Sequence, residues 1–427
     1  MDTIISPAKS LHGEITVPGD KSISHRAVMI GALSEGTTEI SGFLAAADPL
    51  STLSCFASLN IQHRFDKDRL LIAGKGLHGF QQSKTTLDAG NSGTTIRLLT
   101  GILAGQKFST TISGDQYLVK RPMKRIIDPL TAMGAKIQSP DTLTAPLTII
   151  GRYPLQAIDY ELPIASAQVK SAVLFAGLYA NGVTRVIENE PSRDHTERML
   201  GLKTETVNEK RVISVEGGKA FHARPFVVPG DPSSAAFFIV AGLIVPHSNI
   251  VIRNVGLNPT RIGFISVLRQ MNAAILIENE RTIGGELIGD IVVSSSDLRS
   301  NVSLHSALIP NIIDEIPILS IAGAFSHGTF TVHDAGDLRN KETDRIAALC
   351  FNLRAMGLDV EEHKDGFAFE SKNRLVPSTF NSFDDHRIAM AFGIASLALP
   401  DDSTMLHAEC VSISYPSFWE TIQSLRR

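Results

Sequence analysis

Ten cations stand where polar segments of this 427-residue chain give way to apolar ones: Lys21, Arg26, Arg97, Lys120, Arg121, Lys124, Arg193, Lys341, Arg345 and Arg387. Most lie at or just before the predicted start of a helix. There, unpaired backbone N–H groups and the positive end of the macrodipole disfavour a cation and attract an anion. Positive charge at such a place points to a bound anion, and several of these starts converging on one cleft would make a polyanion site. Taken singly, a Lys or Arg is an ordinary solvated charge; recurrence at equivalent positions argues otherwise. Two carboxylates stand among the cations, Asp314 ahead of Glu315-Ile316-Pro317 and Glu342 inside Lys341-Glu342-Thr343-Asp344-Arg345. Glu342, between two cations, can shuttle a proton. Asp314 and Asp385 read equally well as helix N-caps. His386 either binds a ligand or pairs locally, and with no second His or Cys at ligand spacing no metal is expected.

The elements that must hold these residues repeat. Val17-Pro18-Gly19-Asp20 leads into Lys21-Ser22-Ile23-Ser24-His25-Arg26 and an apolar run to Leu33, with Asp20 or Ser22 available as the cap. The same tetrapeptide returns 211 residues later at Val228-Pro229-Gly230-Asp231, which suggests two related halves. After the first helix come a β-branched strand near Thr37–Phe43, a helix over Pro49–Leu59, and a pair of strands near Ile61–Phe65 and Arg69–Gly74. This order of helix, strand, helix and two strands begins again near residues 19, 90, 166, 230, 314 and 384, every 64 to 84 residues. Six units, three per half, predict an α/β chain of two domains, 19–228 and 1–18 plus 229–427, hinged at the two crossovers. Small residues in the repeating helices, such as Ala172, Ala176, Ala322 and Gly323, suit close helix packing.

Composition narrows the functional classes. A hydrophobic fraction of 43% supplies ample core and argues against disorder, and a net charge of −4 gives no global attraction to nucleic acid or acidic membranes. Gly90-Asn91-Ser92-Gly93 allows close backbone approach to a ligand but does not match the phosphate-binding loop of nucleoside triphosphatases. Cys55, Cys350 and Cys410 are isolated, which suits reduced thiols in a cytoplasm rather than a disulfide framework. The N-terminus carries no secretory pattern, and the longest apolar stretch, Ala235–Val245, is too short to span a bilayer. A soluble cytoplasmic monomer is expected, without membrane or nucleic-acid partners.

Pro18-Gly19-Asp20-Lys21-Ser22, Gly90-Asn91-Ser92-Gly93-Thr94, Lys120-Arg121-Pro122-Met123, Ser166-Ala167-Gln168, Lys341-Glu342-Thr343-Asp344-Arg345 and Asp385-His386-Arg387 together resemble the 5-enolpyruvylshikimate-3-phosphate synthase family. The similarity runs along nearly the whole chain, in the family's order. It implies an inverted α/β barrel in each of two domains and transfer of the enolpyruvyl group of phosphoenolpyruvate to the 5-hydroxyl of shikimate 3-phosphate, releasing phosphate, with no cofactor. By motif, Lys21, Ser22, Arg26, Ser166, Ala167, Gln168, Arg193, Asp314 and Lys341 would hold shikimate 3-phosphate. Lys21, Gly93, Arg121, Gln168, Arg345 and Arg387 would hold phosphoenolpyruvate, and Asp314, Glu342 and Lys21 would do the proton chemistry.

Two positions depart from the better-known bacterial pattern: Ala167 replaces a second Ser, and Ile413 stands where a Lys is frequent. Ser166-Ala167-Gln168-Val169-Lys170, Arg193-Asp194-His195-Thr196-Glu197 and Asn258-Pro259-Thr260-Arg261 instead resemble the family's second subgroup, often tolerant of glyphosate, although well-known tolerant members carry Ala where this chain has Gly93. The nearest enzymatic alternative is an enolpyruvyl transferase acting on UDP-N-acetylglucosamine. Such enzymes use a Cys or Asp before their Arg-Pro pair, and here only Asp115 stands in that loop. A non-catalytic anion-binding relative would be expected to have lost Asp314, Glu342 or Lys21, and all three are present.

Overall fold

A computed structural model describes residues 1–372 and 374–427. The chain divides into two compact units, Gly19–Val228 and Met1–Pro18 with Pro229–Arg427, each with its own apolar core. A helix that is apolar on every face must be enclosed on every face, and each unit has three of this kind. The Gly19–Val228 unit encloses α1 (Lys21–Leu33), α2 (Gly93–Ala104) and α3 (Ala167–Gly177). The other encloses α4 (Pro232–Ile244), α5 (Ile316–Ala324) and α6 (His386–Leu397).

Each inner helix leads to a strand, Ser34–Ser41, Ser109–Ser113, Val183–Glu188, Asn249–Gly256, His327–Val332 and Ser403–Leu406, with the short strand Ala180–Asn181 intervening only after α3. In five of the six sheets that hold these strands, the strand has a parallel neighbour on one side and two antiparallel hairpin strands on the other; a seventh sheet pairs Leu155–Gln156 with Ala180–Asn181. The parallel neighbours Leu87–Asp88, Asp159–Glu161 and Arg299–Leu304 precede their helices. They are additions to the repeat read from the sequence. The first two are too short for an alternating pattern to reveal them.

Each unit also recruits its own distant ends. Ser34–Ser41 takes its parallel partners from Phe221–His222 and Phe226–Val227, and Asn249–Gly256 takes His12–Thr16. The sixth repeat departs from the expected order. After Ser403–Leu406 the chain forms a 3-10 turn, Ala408–Ile413, and the helix Phe418–Leu425. No hairpin follows among the described residues, and Thr3–Ile5 supplies the antiparallel strand instead. The crossovers are closely tied: the Asp231 N–H donates to the Pro18 carbonyl at 2.9 Å, and the Val228 N–H to that of Ser41 at 2.9 Å. Gly19 is required there, since a Cβ would stand 1.9 Å from the carbonyl oxygen of Gly42.

Among the described residues, no helix is long and apolar enough to cross a membrane, and no cluster of three or more His, Cys, Asp or Glu is arranged to hold a metal. Burial pushes the thiols of Cys55, Cys350 and Cys410 up to about 12. α2 and α3 pack closely enough that a Cβ on Gly101 would lie 2.2 Å from the Ala172 carbonyl oxygen. Gly101→Ala must therefore push two buried helices apart, and a loss of about 1–3 kcal/mol is expected. Chemical denaturation checks this: an unchanged midpoint would mean the helices separate freely.

Candidate active site

The polar groups of the Gly19–Val228 unit gather at the starts of its buried helices. Asp20 caps α1, its carboxylate accepting from the Ile23 N–H at 2.9 Å, which decides between the two caps open in the sequence. Lys21 is the first residue of α1 and pairs with Asp48 at 3.2 Å. Ser92 caps α2, accepting from Thr95 N–H at 3.1 Å, and Ser166 is the cap of α3. Arg26 is buried one turn into α1 and donates to Ser22 O at 2.9 Å, Thr196 Oγ1 at 2.7 Å and Ser171 Oγ at 2.8 Å. Arg193 is half-buried on the segment between the Val183–Glu188 strand and the helix His195–Leu200.

Gly93 begins α2 between two guanidiniums. A Cβ there would lie 2.8 Å from Arg97 Nη1 and 3.2 Å from Arg121 Nη1. Arg97 Nη1 donates to Gln168 Oε1 at 2.6 Å, and Gln168 Nε2 donates to Thr94 Oγ1 at 3.1 Å, so the Gln168 amide is oriented from both ends. Arg121 donates to Asn91 Oδ1, and Asn91 donates to Asp115 at 2.8 Å. Asp115 also accepts from the N–H groups of Tyr117 and Leu118 at 3.0 and 2.8 Å. It is thus the brace of the turn leading to Arg121, which weakens its candidacy as a reactive group. Lys120 and Lys124 are exposed.

In the other unit, Asp314, Lys341, Glu342, Arg345, Asp385 and Arg387 form one ionic cluster. The Asp314 carboxylate stands 3.4 Å from Lys341 Nζ, 3.3 Å from Arg345 Nη1 and 4.0 Å from Arg387 Nε. Arg387 Nη1 donates to the Asp314 backbone carbonyl at 3.0 Å. Arg345 is only 1% exposed and also binds Asp385 and Glu342, each at 2.7 Å. Burial works against its charge, but Asp385, Glu342 and Asp314 outweigh that and raise its pKa above the usual arginine value. Removing one partner of such a buried pair costs about 3–5 kcal/mol.

The two carboxylates left open as caps now separate. Asp385 caps α6, accepting from Arg387 N–H at 2.8 Å while holding Arg345. The cap position of α5 belongs to Glu315, which makes no side-chain cap bond; its carboxylate accepts from Ser233 instead. Ser233 also accepts from Arg261 at 2.9 Å, and Arg261 pairs with Asp231 at 3.0 Å. Sequence reasoning named Arg97 among the anion-binding cations and Asp385 as an N-cap candidate without assigning either to a substrate, and left Glu315 and Arg261 out of the site. The Arg97 link to Gln168 spans 71 residues and no local pattern reveals it, whereas Arg261 ended a motif already noted. Ile413 packs against the apolar core, as its side chain dictates.

The fold is shared with the enolpyruvyl transferase NikO from Streptomyces tendae, which superposes with a TM-score of 0.76 at 15% identity, covering 99% of this chain and 96% of its own. A family model described as EPSP synthase (3-phosphoshikimate 1-carboxyvinyltransferase) matches residues 5–422. The chain belongs to the EPSP synthase family. A 3-phosphoshikimate 1-carboxyvinyltransferase of Geobacter sulfurreducens is 48% identical over 416 residues, 96% of each chain. One of a Thermoanaerobacter species is 46% identical over the full length of both. The EPSP synthase of Acinetobacter baumannii, a solved structure, is 42% identical with a TM-score of 0.88, covering 100% of this chain and 98% of its own.

His25 links two of the helix starts. Its Nδ1 meets Thr52 Oγ1 at 2.6 Å, and Thr52 meets Thr95 on α2 at 2.7 Å. Burial, with the charges of Lys21 and Arg26, lowers the His25 pKa well below 6.5. The folded protein therefore holds a neutral imidazole, while the unfolded chain takes up a proton as pH falls below about 6.5. Stability must decline below that pH by up to about 1.4 kcal/mol per unit for this group. His25→Gln should flatten the decline in melting temperature between pH 7 and pH 5; an identical decline in both proteins would refute it.

Proposed function

We propose that this chain transfers the enolpyruvyl group of phosphoenolpyruvate to the 5-hydroxyl of shikimate 3-phosphate, releasing phosphate. The observation that carries the reading is Asp314, a carboxylate set among Lys341, Arg345 and Arg387. A base embedded in cations suits deprotonation of a hydroxyl on one anion as it attacks another. Assigned to shikimate 3-phosphate are Lys21, Ser22, Arg26, Ser166, Ala167, Gln168, Arg193, Asp314 and Lys341. Assigned to phosphoenolpyruvate are Lys21, Gly93, Arg121, Gln168, Arg345 and Arg387. The two compact units are the two domains of this reading, 19–228 and 1–18 plus 229–427, and the crossovers between them are its hinge.

The chemistry follows from charge. Both substrates are anions, and converging Lys, Arg and helix N-termini offset their repulsion. Asp314 accepts the proton of the 5-hydroxyl as that oxygen bonds to C2 of phosphoenolpyruvate. Glu342 and Lys21 deliver a proton to the methylene carbon, giving a tetrahedral intermediate. Withdrawal of a proton from the resulting methyl group and departure of phosphate restore the double bond. An arriving anion competes with Asp314 for Arg345, which leaves the carboxylate a lone pair for the hydroxyl proton. On the same reading the enzyme works without a cofactor, as a cytoplasmic monomer whose three thiols stay reduced.

Phosphate release from phosphoenolpyruvate tests this directly. Release is expected with shikimate 3-phosphate and not with UDP-N-acetylglucosamine; the opposite pattern would overturn the acceptor, and binding of both substrates without release would favour the non-catalytic reading. Asp314→Ala should lower kcat by about 10²-fold or more while KM values change by only a few-fold. A variant with near-normal turnover would remove Asp314 from its role.

A further inference from the structure

Below the start of α3 lies a second ionic cluster that the reaction does not use. Lys170, one turn into that helix, has no exposed side-chain surface. Its ammonium stands 3.0 Å from Glu188 Oε1 and 3.1 Å from Oε2, 2.7 Å from Glu197 Oε1 and 3.3 Å from the Ser192 carbonyl oxygen. Glu188, also fully buried, accepts from the Ser192 N–H at 3.2 Å and from the Ser192 hydroxyl. Arg211 approaches Glu188 and Glu197 at 3.4 Å each and Asp194 at 3.6 Å, and Asp194 pairs with Arg198 at 2.8 Å.

Both chain neighbours of Arg193 are thus anchored, Ser192 by its N–H, carbonyl and hydroxyl, and Asp194 by its carboxylate. Apolar residues of similar volume would fill the same space at no greater cost to folding. What they could not supply is directional hold on a peptide group. Lys170 sits two residues beyond Gln168 and four beyond Ser166, so one ammonium couples the start of α3 to the segment that carries Arg193. Immediately beside it, Ser171 of α3 meets Thr196 at 2.6 Å, and Arg26 bonds both. Adjacent residues on each element therefore bind adjacent parts of the same network.

We infer that Lys170 and Glu188 are positioning residues for the acceptor, clamping residues 189–194 so that Arg193 meets the anion together with Ser166 and Gln168. The inference rests on the assignment of Arg193 to shikimate 3-phosphate. The double variant Lys170→Met/Glu188→Gln removes one charge of each sign and leaves Arg211 with Glu197. It should raise KM for shikimate 3-phosphate roughly 10-fold or more, while kcat and KM for phosphoenolpyruvate stay within about threefold. In an Arg193→Ala background the same pair should add little further loss, because it acts through that residue. Unchanged KM for shikimate 3-phosphate in the folded double variant, or a loss fully additive with Arg193→Ala, would overturn the inference. If the double variant does not fold, Ser192→Ala carries the test, with a few-fold rise in that KM expected and no rise overturning it. Failure of the wild-type enzyme to release phosphate with shikimate 3-phosphate would instead overturn the functional reading.

Discussion

Enclosing a helix on every side leaves it only two places to meet solvent or substrate, its ends. That constraint governs each unit of this protein. Beyond their first two turns the side chains of α1 to α6 are small or apolar where helices and sheets close around them, so polar function is confined to those turns and the segment before them. There the unpaired N–H groups need partners, and five of the six helices find one in a side chain: Asp20, Ser92, Ser166, Asp231 and Asp385. The sixth, α5, makes no such bond. It is also the helix preceded by Asp314, so the helix start that lacks a side-chain cap is the one beside the proposed base.

The cations at these starts are held by carboxylates, amides, hydroxyls and backbone carbonyls rather than left to solvent. Arg345 is the extreme case, nearly inaccessible and met by three carboxylates. Arg97 and Arg121 are oriented by Gln168 and Asn91, on either side of a glycine that leaves room for them. A side chain already fixed loses little freedom when an anion arrives, and this preorganisation makes charged groups effective in catalysis. The buried Lys170 cluster extends the logic one layer outward, fixing peptide groups rather than side chains.

Much of this was legible in the chain. Six recurrences of a polar turn followed by a small-residue helix and a strand determine the repeat, because a long run of small apolar residues and a short β-branched one differ in length and composition. The motifs at the helix starts named the family and most of the proposed site residues, since turn chemistry and capping are local. Local sequence could not tell whether Asp314 and Asp385 were both caps. The difference depends on Arg345, Lys341 and Arg387, which reach Asp314 from other elements.

What the sequence by itself determined, then, is the order of elements, the segments that begin each buried helix, and the residue types available there. Tertiary structure alone decided which distant strands close each unit, Phe221–Val227 in one and Thr3–Ile5 with His12–Thr16 in the other. It also decided the partners: Arg97 with Gln168, Arg26 with Thr196, Ser233 with Glu315, Lys170 with Glu188. The reason is physical. Capping, turns and periodicity act over a few residues, whereas an ion pair or an edge strand is specified by packing between segments that lie tens to hundreds of residues apart.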